Sequence, residues 1–199
     1  MTTFFTADTH FQHKGKPVEQ NGSGGILRMA RRPFVTIEAH DAELIRRWNS
    51  KVKPGDTVWH CGDFAMGQQA NVPAIVEQLN GDIHLVWGNH DKRRVHAKFT
   101  CFKSTQDVAT VRIDKDHSVF LSHYAHRVWN KAHYGRYHFF GHSHGGMPPM
   151  ARSLDVGVDC WDYYPVTFDE IVSRLQSLGL NDVVVRHHGD RSSRQETEE

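Results

Sequence analysis

The 199-residue chain is poor in cysteine, has no surplus of basic charge and contains no long apolar run, and each shortage removes a class of protein. Cys61, Cys101 and Cys160 are odd in number and form no Cys-x-x-Cys pair. That argues against a disulfide framework and against a cysteine-ligated zinc, and leaves packed thiols. Lys and Arg total 24 against 23 for Asp and Glu, so the chain lacks the overall basic footprint of a dedicated nucleic-acid binder. No stretch is apolar enough to span a bilayer, which gives no membrane partner. The N-terminus, Met1 to Asp8, has no basic segment followed by an apolar run, so no secretory signal is read and a cytoplasmic location is expected. There is no internal repeat. The glycine-bearing segment Asn21 to Gly25 is not a nucleotide P-loop, because no Gly-Lys-Ser/Thr follows it.

What remains is a chain with 38% hydrophobic and 24% charged residues, a globular balance for one domain. That domain is expected over residues 1–186, and the polar, aperiodic residues 187–199 are expected to form a disordered tail. Apolar runs alternate with helical patterns, which predicts a mixed α/β domain. Thr3 to Thr6, Thr57 to Cys61 and Ile83 to Trp87 read as buried strands. Val108 to Ile113 and His117 to Ser122 flank Asp114-Lys115-Asp116 as a hairpin, and Tyr137 to Phe140, Leu154 to Val158 and Val183 to Val185 are further strands. Thr36 is placed to cap a helix with Ile37, Leu44, Ile45 and Trp48 on one face, and Asn71 to cap another over Val72 to Leu79. Thr167 and Glu170 form a capping box for a helix that runs to about Leu178 and stops at Gly179.

The abundant residue is histidine, 16 in all, and its placement carries the chemistry. Metal-type side chains collect where apolar runs end: Asp8-Thr-His10, Gly62-Asp63, Gly88-Asn-His-Asp91, Ser122-His123 and Gly141-His-Ser-His144. Ends of strands are where open α/β sheets put their sites. Alternate residues such as Asp8 and His10, or His142 and His144, point the same way on an extended segment and can grip one ion or two adjacent ones. The glycines ahead of Asp63, Asn89 and His142 are expected to let the backbone turn sharply. Carboxylate, amide and imidazole donors without thiolate suit Mn²⁺, Fe, Co, Ni or Zn²⁺. Taken singly, most of these pieces are ordinary turns or half-buried histidines. Five of them in order, each at the end of a strand, favour a metal centre.

The same five elements resemble the calcineurin-like metallophosphoesterase superfamily, whose pattern is Asp-x-His, Gly-Asp, Gly-Asn-His-Asp/Glu, His and Gly-His-x-His. The surrounding segments Arg32-Pro-Phe34, Arg47-Trp-Asn49, Lys53 to Thr57 and Leu154 to Asp159 are similar to small single-domain members from bacteria and their phages. The resemblance implies two packed mixed β-sheets flanked by helices, in a four-layer sandwich. It implies that Asp8, His10, Asp63 and His144 hold one divalent transition metal, with Mn²⁺ foremost. Asn89, His123, His142 and the shared Asp63 would hold the second. His90 would protonate the leaving oxygen, with Asp91 orienting it, and a hydroxide bridging the metals would attack a phosphate ester.

Gly62 to Gly67 lacks the later Asp and Arg found in the protein serine/threonine phosphatases, which weakens a phosphoprotein substrate. With no large insertion between motifs, a phosphodiester or nucleotide, including one derived from nucleic acid, is expected ahead of a small monoester. A non-catalytic module of the same fold is the alternative from another class. Arg127 and His13 are candidates to bind substrate, while Arg28, Arg31 and Arg32 read as a solvated basic face. Trp129, Trp161, Tyr163 and Tyr164 either stack a nucleobase or pack. The oligomeric state is left open.

Overall fold

The computed structural model describes residues 1–15, 24–67, 71–93 and 100–181. In chain order its first elements are β1 (Thr3–Thr6), α1 (Gly25–Met29), α2 (Ile37–Lys51), β2 (Thr57–His60), α3 (Val72–Val76), β3 (Asp82–Val86) and β4 (Ser104–Gln106). They are followed by β5 (Val108–Arg112), β6 (Ser118–Ser122), β7 (Tyr137–Phe140), β8 (Ser153–Asp155), β9 (Val166–Thr167) and α4 (Phe168–Ser177).

Neighbouring residues of the central strands are apolar on opposite faces. Phe4, Val58, Ile83 and Leu85 enter one core cluster with Leu44 and Trp48 of α2 and Val72 and Ile75 of α3. Phe5 and Val86 enter a second cluster with Val119 and Leu121 of β6, Phe139 of β7, and Ile171 and Leu175 of α4. Strands that are apolar on both faces must lie between two other layers. One face of the first sheet is therefore covered by α2 and α3 and the other by the second sheet together with α4. The outer face of that second sheet is closed by Phe120, Trp129 and Ala132, the last in a short 3₁₀ turn. Among the described residues these are two mixed sheets with four named α-helices, an α/β fold consistent with the one that the resemblance implies.

The first sheet has the order β4-β3-β2-β1-β9 and the second β5-β6-β7-β8. β1 to β4 are mutually parallel, and so are β6, β7 and β8. Among the described strands only β9 and β5 run against their neighbours. The parallel bridge Ala7↔Gly157 and the bond from Val158 N–H to the Ala7 carbonyl (3.0 Å) join the ends of the two sheets. No helix among the described residues is long and apolar enough to cross a membrane.

Several boundaries differ from the sequence reading. β4 and β9 are three and two residues long, too short to show any periodicity. β8 stops at Asp155 because Gly157 leaves the sheet to bridge Ala7 and Val158–Cys160 turn into a 3₁₀ helix. α3 ends at Val76, and Asn71 makes no side-chain cap; its amide bonds Gln12 Oε1 instead (3.2 Å). Gly25 opens α1, where only a loop was expected. Val183 to Val185 and the 187–199 tail lie outside the described residues.

Thr36 and Thr167 do cap as their sequences suggest. Thr36 Oγ1 accepts from Ala39 N–H (3.1 Å), and Thr167 and Glu170 form the reciprocal box. Thr36→Ala should lower unfolding stability by about 1 kcal/mol, the usual worth of such a cap. Asn71→Ala, losing no cap, should cost less than about 0.5 kcal/mol. Urea unfolding of both variants checks this, and equal losses would contradict the assignment of caps.

Candidate metal centre

Because β1 to β3 run one way and β6 to β8 are parallel to one another, six strand ends deliver their following residues to one edge. Backbone bonds stitch those loops together: Asp8 N–H to the Gly62 carbonyl, His10 N–H to the Asp63 carbonyl and Gly141 N–H to the His123 carbonyl, each at 3.0 Å. Asp8 and Asp63 are buried at this seam, with His10 and His123 beside them. Asn89 and His142 stand on the exposed rim, and His144 is half-buried.

The structure gathers the predicted ligands into two groups. Asp8, His10 and His144 present ligand atoms within 4.8 Å of one another, and so do Asp63, His123 and His142. Asp63 Oδ2 lies 3.6 Å from His10 Nε2 and 3.4 Å from His123 Nε2, facing a ring of each group. Asn89 Oδ1 lies 2.9 Å from His123 Nε2 and so joins the second.

The donors fit divalent metal. Asp8 Oδ1 and both ring nitrogens of His10 are buried with no hydrogen-bond partner, which is costly for such groups unless a cation meets them. Burial, then the charges of Asp155 and Asp63, push the Asp8 carboxyl well above the usual carboxylate range. Burial also pushes His10 well down, toward the neutral ring that a metal requires. Burial alone would raise Asp63 too, but the hydrogen bond and charge of His123, and the charge of His10, outweigh it and hold the carboxyl below its ordinary value. Oxygen and imidazole donors without thiolate suit divalent transition ions.

Five of the seven ligand residues adopt left-handed backbone: Asp8 (φ 57°), His10 (48°), Asp63 (57°), His142 (69°) and His144 (47°). Such conformations cost of order 1 kcal/mol each in non-glycine residues and persist where the surroundings enforce them. The glycines ahead of the ligands serve differently from one another. Gly62 has φ 92° and turns the chain as expected. Gly88 and Gly141 have no positive φ and are needed for close approach. A Cβ on Gly88 would run into Asp63, and one on Gly141 would lie 2.7 Å from Asp8 Oδ2.

The enforcement comes from Asp91 of the motif and from residues that the motif does not name. Asp91 accepts from the backbone N–H groups of Gly88 (2.8 Å), Asp63 (2.9 Å) and Phe64 (3.0 Å), clamping two ligand loops together. Burial raises its carboxyl to about 6 against those bonds. Asp155 accepts from Ser143 Oγ (2.5 Å), Gly145 N–H (3.0 Å) and Gly157 N–H (2.7 Å), holding the loop of His142 and His144. His123 Nδ1 donates to the Cys61 carbonyl (2.8 Å), which leaves Nε2 for a metal. His144 Nδ1 meets Asp159 Oδ2 at 2.6 Å with the same effect. Arg32, expected on a solvated face, is instead buried against Asp159; Arg28 and Arg31 are exposed. Its signal was the Arg32-Pro-Phe34 and Leu154 to Asp159 wording, which carried no role until the fold brought the two together.

His90 is half-buried beside the groups, its ring Nε2 4.0 Å from Asp63 Oδ2 and its backbone N–H donating to Asp63 Oδ1 (2.8 Å). His13 is buried with its ring 5.3 Å from that of His10 and 6.2 Å from that of His90. Burial, then the His90 charge, lowers His13 to about 4, a neutral ring near pH 7. Arg127 is exposed, and no described contact joins it to the metal residues. Tyr124, unremarked in the sequence, sets its half-exposed ring 4.6 Å from that of His142. Trp129 is buried in the outer cluster, and Trp161 donates to the Asp155 carbonyl (2.9 Å) under Arg174. Tyr163 packs on Phe34, and Tyr164 lies beneath Arg47 and Lys51, so these four rings have packing roles.

Comparison with known proteins agrees with this geometry. An uncharacterised protein of Methanocaldococcus jannaschii is 26% identical over 87% of this chain and 90% of its own length. The gene 66 protein of Mycobacterium phage L5 is 28% identical over 88% of this chain and 95% of its own. A crystal structure of a protein of unknown function from Aquifex aeolicus shares the fold, with a TM-score of 0.61 at 21% identity, covering 87% of this chain and 98% of that one. Residues 1–149 match the calcineurin-like phosphoesterase superfamily domain, and the chain belongs to that superfamily.

Proposed function

We propose that this protein is a hydrolase of phosphate esters, acting on phosphodiesters or nucleotides, with two divalent ions, Mn²⁺ first among them, in one domain spanning 1–186. The observation that carries the reading is Asp63 Oδ2, which faces His10 and His123 at 3.6 and 3.4 Å, one ring from each donor group. An oxygen so placed suits a ligand shared by two cations. Such a pair of ions would polarise the phosphoryl oxygens and supply a nucleophile from water at neutral pH.

The protein's own part is to orient and to move a proton. Asp8, His10 and His144 hold one position; Asn89, His123 and His142 hold the other, on the solvent side. His90, half-exposed above Asp63, is placed to give a proton to the departing ester oxygen. Asp91 fixes the loop that carries His90 by gripping the backbone of Gly88 and Asp63.

A cavity of about 830 Å³ opens beside His13, lined also by Gln12, Lys14, Glu38, Met66 and Asn71. That volume suits an organic group of nucleotide size. Lys14 is paired with Glu38 and His13 is held neutral, so the cavity favours an uncharged polar group over a second phosphate. Arg127, exposed after His123, is available to an outer phosphate oxygen.

Metal-stripped protein reloaded with Mn²⁺ should take up about two ions per chain and hydrolyse bis(p-nitrophenyl) phosphate. Asp63→Asn should weaken both positions, and His123→Ala should deplete mainly one. Elemental analysis finding a single ion at saturation, or equal single-ion loss in both variants, would contradict the shared carboxylate. His90→Ala should keep its metal and fold but lose on the order of 10² to 10⁴ in rate. The loss should be smaller on a nitrophenyl diester, whose leaving group departs without a proton, than on an alkyl diester. Equal losses in kcat/KM on both esters at full metal occupancy would remove the acid role of His90.

A further inference from the structure

Arg32 and Asp159 form a buried ion pair that the hydrolytic reading leaves unused. The Arg32 side chain is 0% exposed and every face of its guanidinium is engaged. Nε and Nη2 donate to the two Asp159 oxygens (2.8 and 2.7 Å), Nη2 also to the Asp8 carbonyl (2.6 Å) and Nη1 to the Thr9 carbonyl (3.0 Å). His40 Nε2 lies 2.8 Å from Nη1, its Nδ1 meets Asp41 Oδ1 at 2.8 Å, and Asp41 Oδ2 accepts Gln12 N–H (3.0 Å). On the other side Asp159 Oδ2 meets His144 Nδ1.

A buried ion pair of this kind gains little stability over apolar side chains of the same volume, so stability alone is a poor account of it. Its contacts share an address instead. They end on Asp8 and Thr9, on Gln12 just beyond His10, and on His144, the segments that carry one donor group. No described contact of Arg32 or Asp159 reaches Asp63, Asn89, His123 or His142; Asp63 is held by Asp91 and His123 by the Cys61 carbonyl and Asn89, while His142 N–H donates to Asp8 Oδ2 (2.8 Å) and Asp155 braces His142 and His144 together. The left-handed turns at Asp8 and His10 direct the Asp8 and Thr9 carbonyls away from the strand ladder, and Arg32 receives both. Lysine could not serve here, since one ammonium cannot meet a carboxylate edge and two carbonyls in a plane.

We propose that Arg32 and Asp159 are positioning residues for the Asp8–His10–His144 metal position, so that their replacement empties that position and leaves the other filled. Arg32 sets the backbone of Asp8 and Thr9. Asp159 keeps the His144 proton on Nδ1, which aims Nε2 at the metal, as partners behind a ligand histidine generally do. This rests on the two-ion reading above.

Arg32→Lys and Asp159→Asn test it, with Mn²⁺ as the probe and near-UV circular dichroism as the check on folding. Both variants should fold, and each should bind one ion where the wild type binds two, the retained ion keeping its affinity within a factor of about three. The second readout needs no metal. In metal-free protein at pH 8.5, ¹⁵N spectra assigned with His144→Gln should show His144 protonated on Nδ1 in the wild type, and a mixed or Nε2-protonated ring in both variants. Two ions bound in a variant, both ions lost, or an unchanged His144 tautomer would overturn the proposal. Collapse of the fold in both variants would assign the pair to general stability and overturn it too. A wild type that binds no ion would sink the two-ion reading, while the tautomer would still decide whether Asp159 positions His144.

Discussion

The constraint on which this structure turns is the confinement of lone pairs. Two carboxylates, an amide oxygen and four imidazoles direct electron pairs into one seam between two sheets, with Asp8, His10, Asp63 and His123 buried there. Groups of this kind lose hydration when brought together, and contacts among themselves, such as His123 with Asn89 and Asp63, satisfy only part of what is lost. The order must be imposed by backbone. That is why the ligands sit in left-handed turns, why glycines allow strands to approach carboxylates, and why Asp91 and Asp155 spend their oxygens on N–H groups.

Each donor group has a buried floor and a more open edge: Asp8, His10, Asp63 and His123 are closed off, His144 is half-buried, and Asn89 and His142 face solvent with Tyr124 against His142. His90 stands half-buried by Asp63, and the cavity lined by His13 opens next to it, the two rings 6.2 Å apart. A substrate lying across the seam would have its phosphate over Asp63 and its organic part toward Gln12 and Asn71.

Much of the layout could be read from the sequence because the central strands and long helices announce themselves. Phe4, Phe5, Val58 and Ile83 are apolar wherever a strand is covered on both faces, and Thr36 and Thr167 carry their caps beside them. The ligand residues were legible for a different reason: each closes an apolar run, and parallel strands bring such ends together. What escaped was non-local. Arg32 looked like one of three surface arginines, since nothing nearby shows that Asp159 waits for it across the fold. Asp155 lay hidden in an apolar run, and the capping role assigned to Asn71 failed because its amide found Gln12 from a distant loop. β4 and β9 exist only through their neighbours, with no pattern of their own to betray them.

The pairing of β9 with β1 has a consequence for how the chain is made. Phe4 waits for Thr167, and Ala7 for Gly157, so the central sheet stays open along one side until nearly all the described chain has left the ribosome. β1, β2 and β3 can pair much earlier, since all three are complete by Val86. His142, His144 and Asp159 come much later. The strands that carry Asp8 and Asp63 can therefore pair before the residues that complete either donor group have been made.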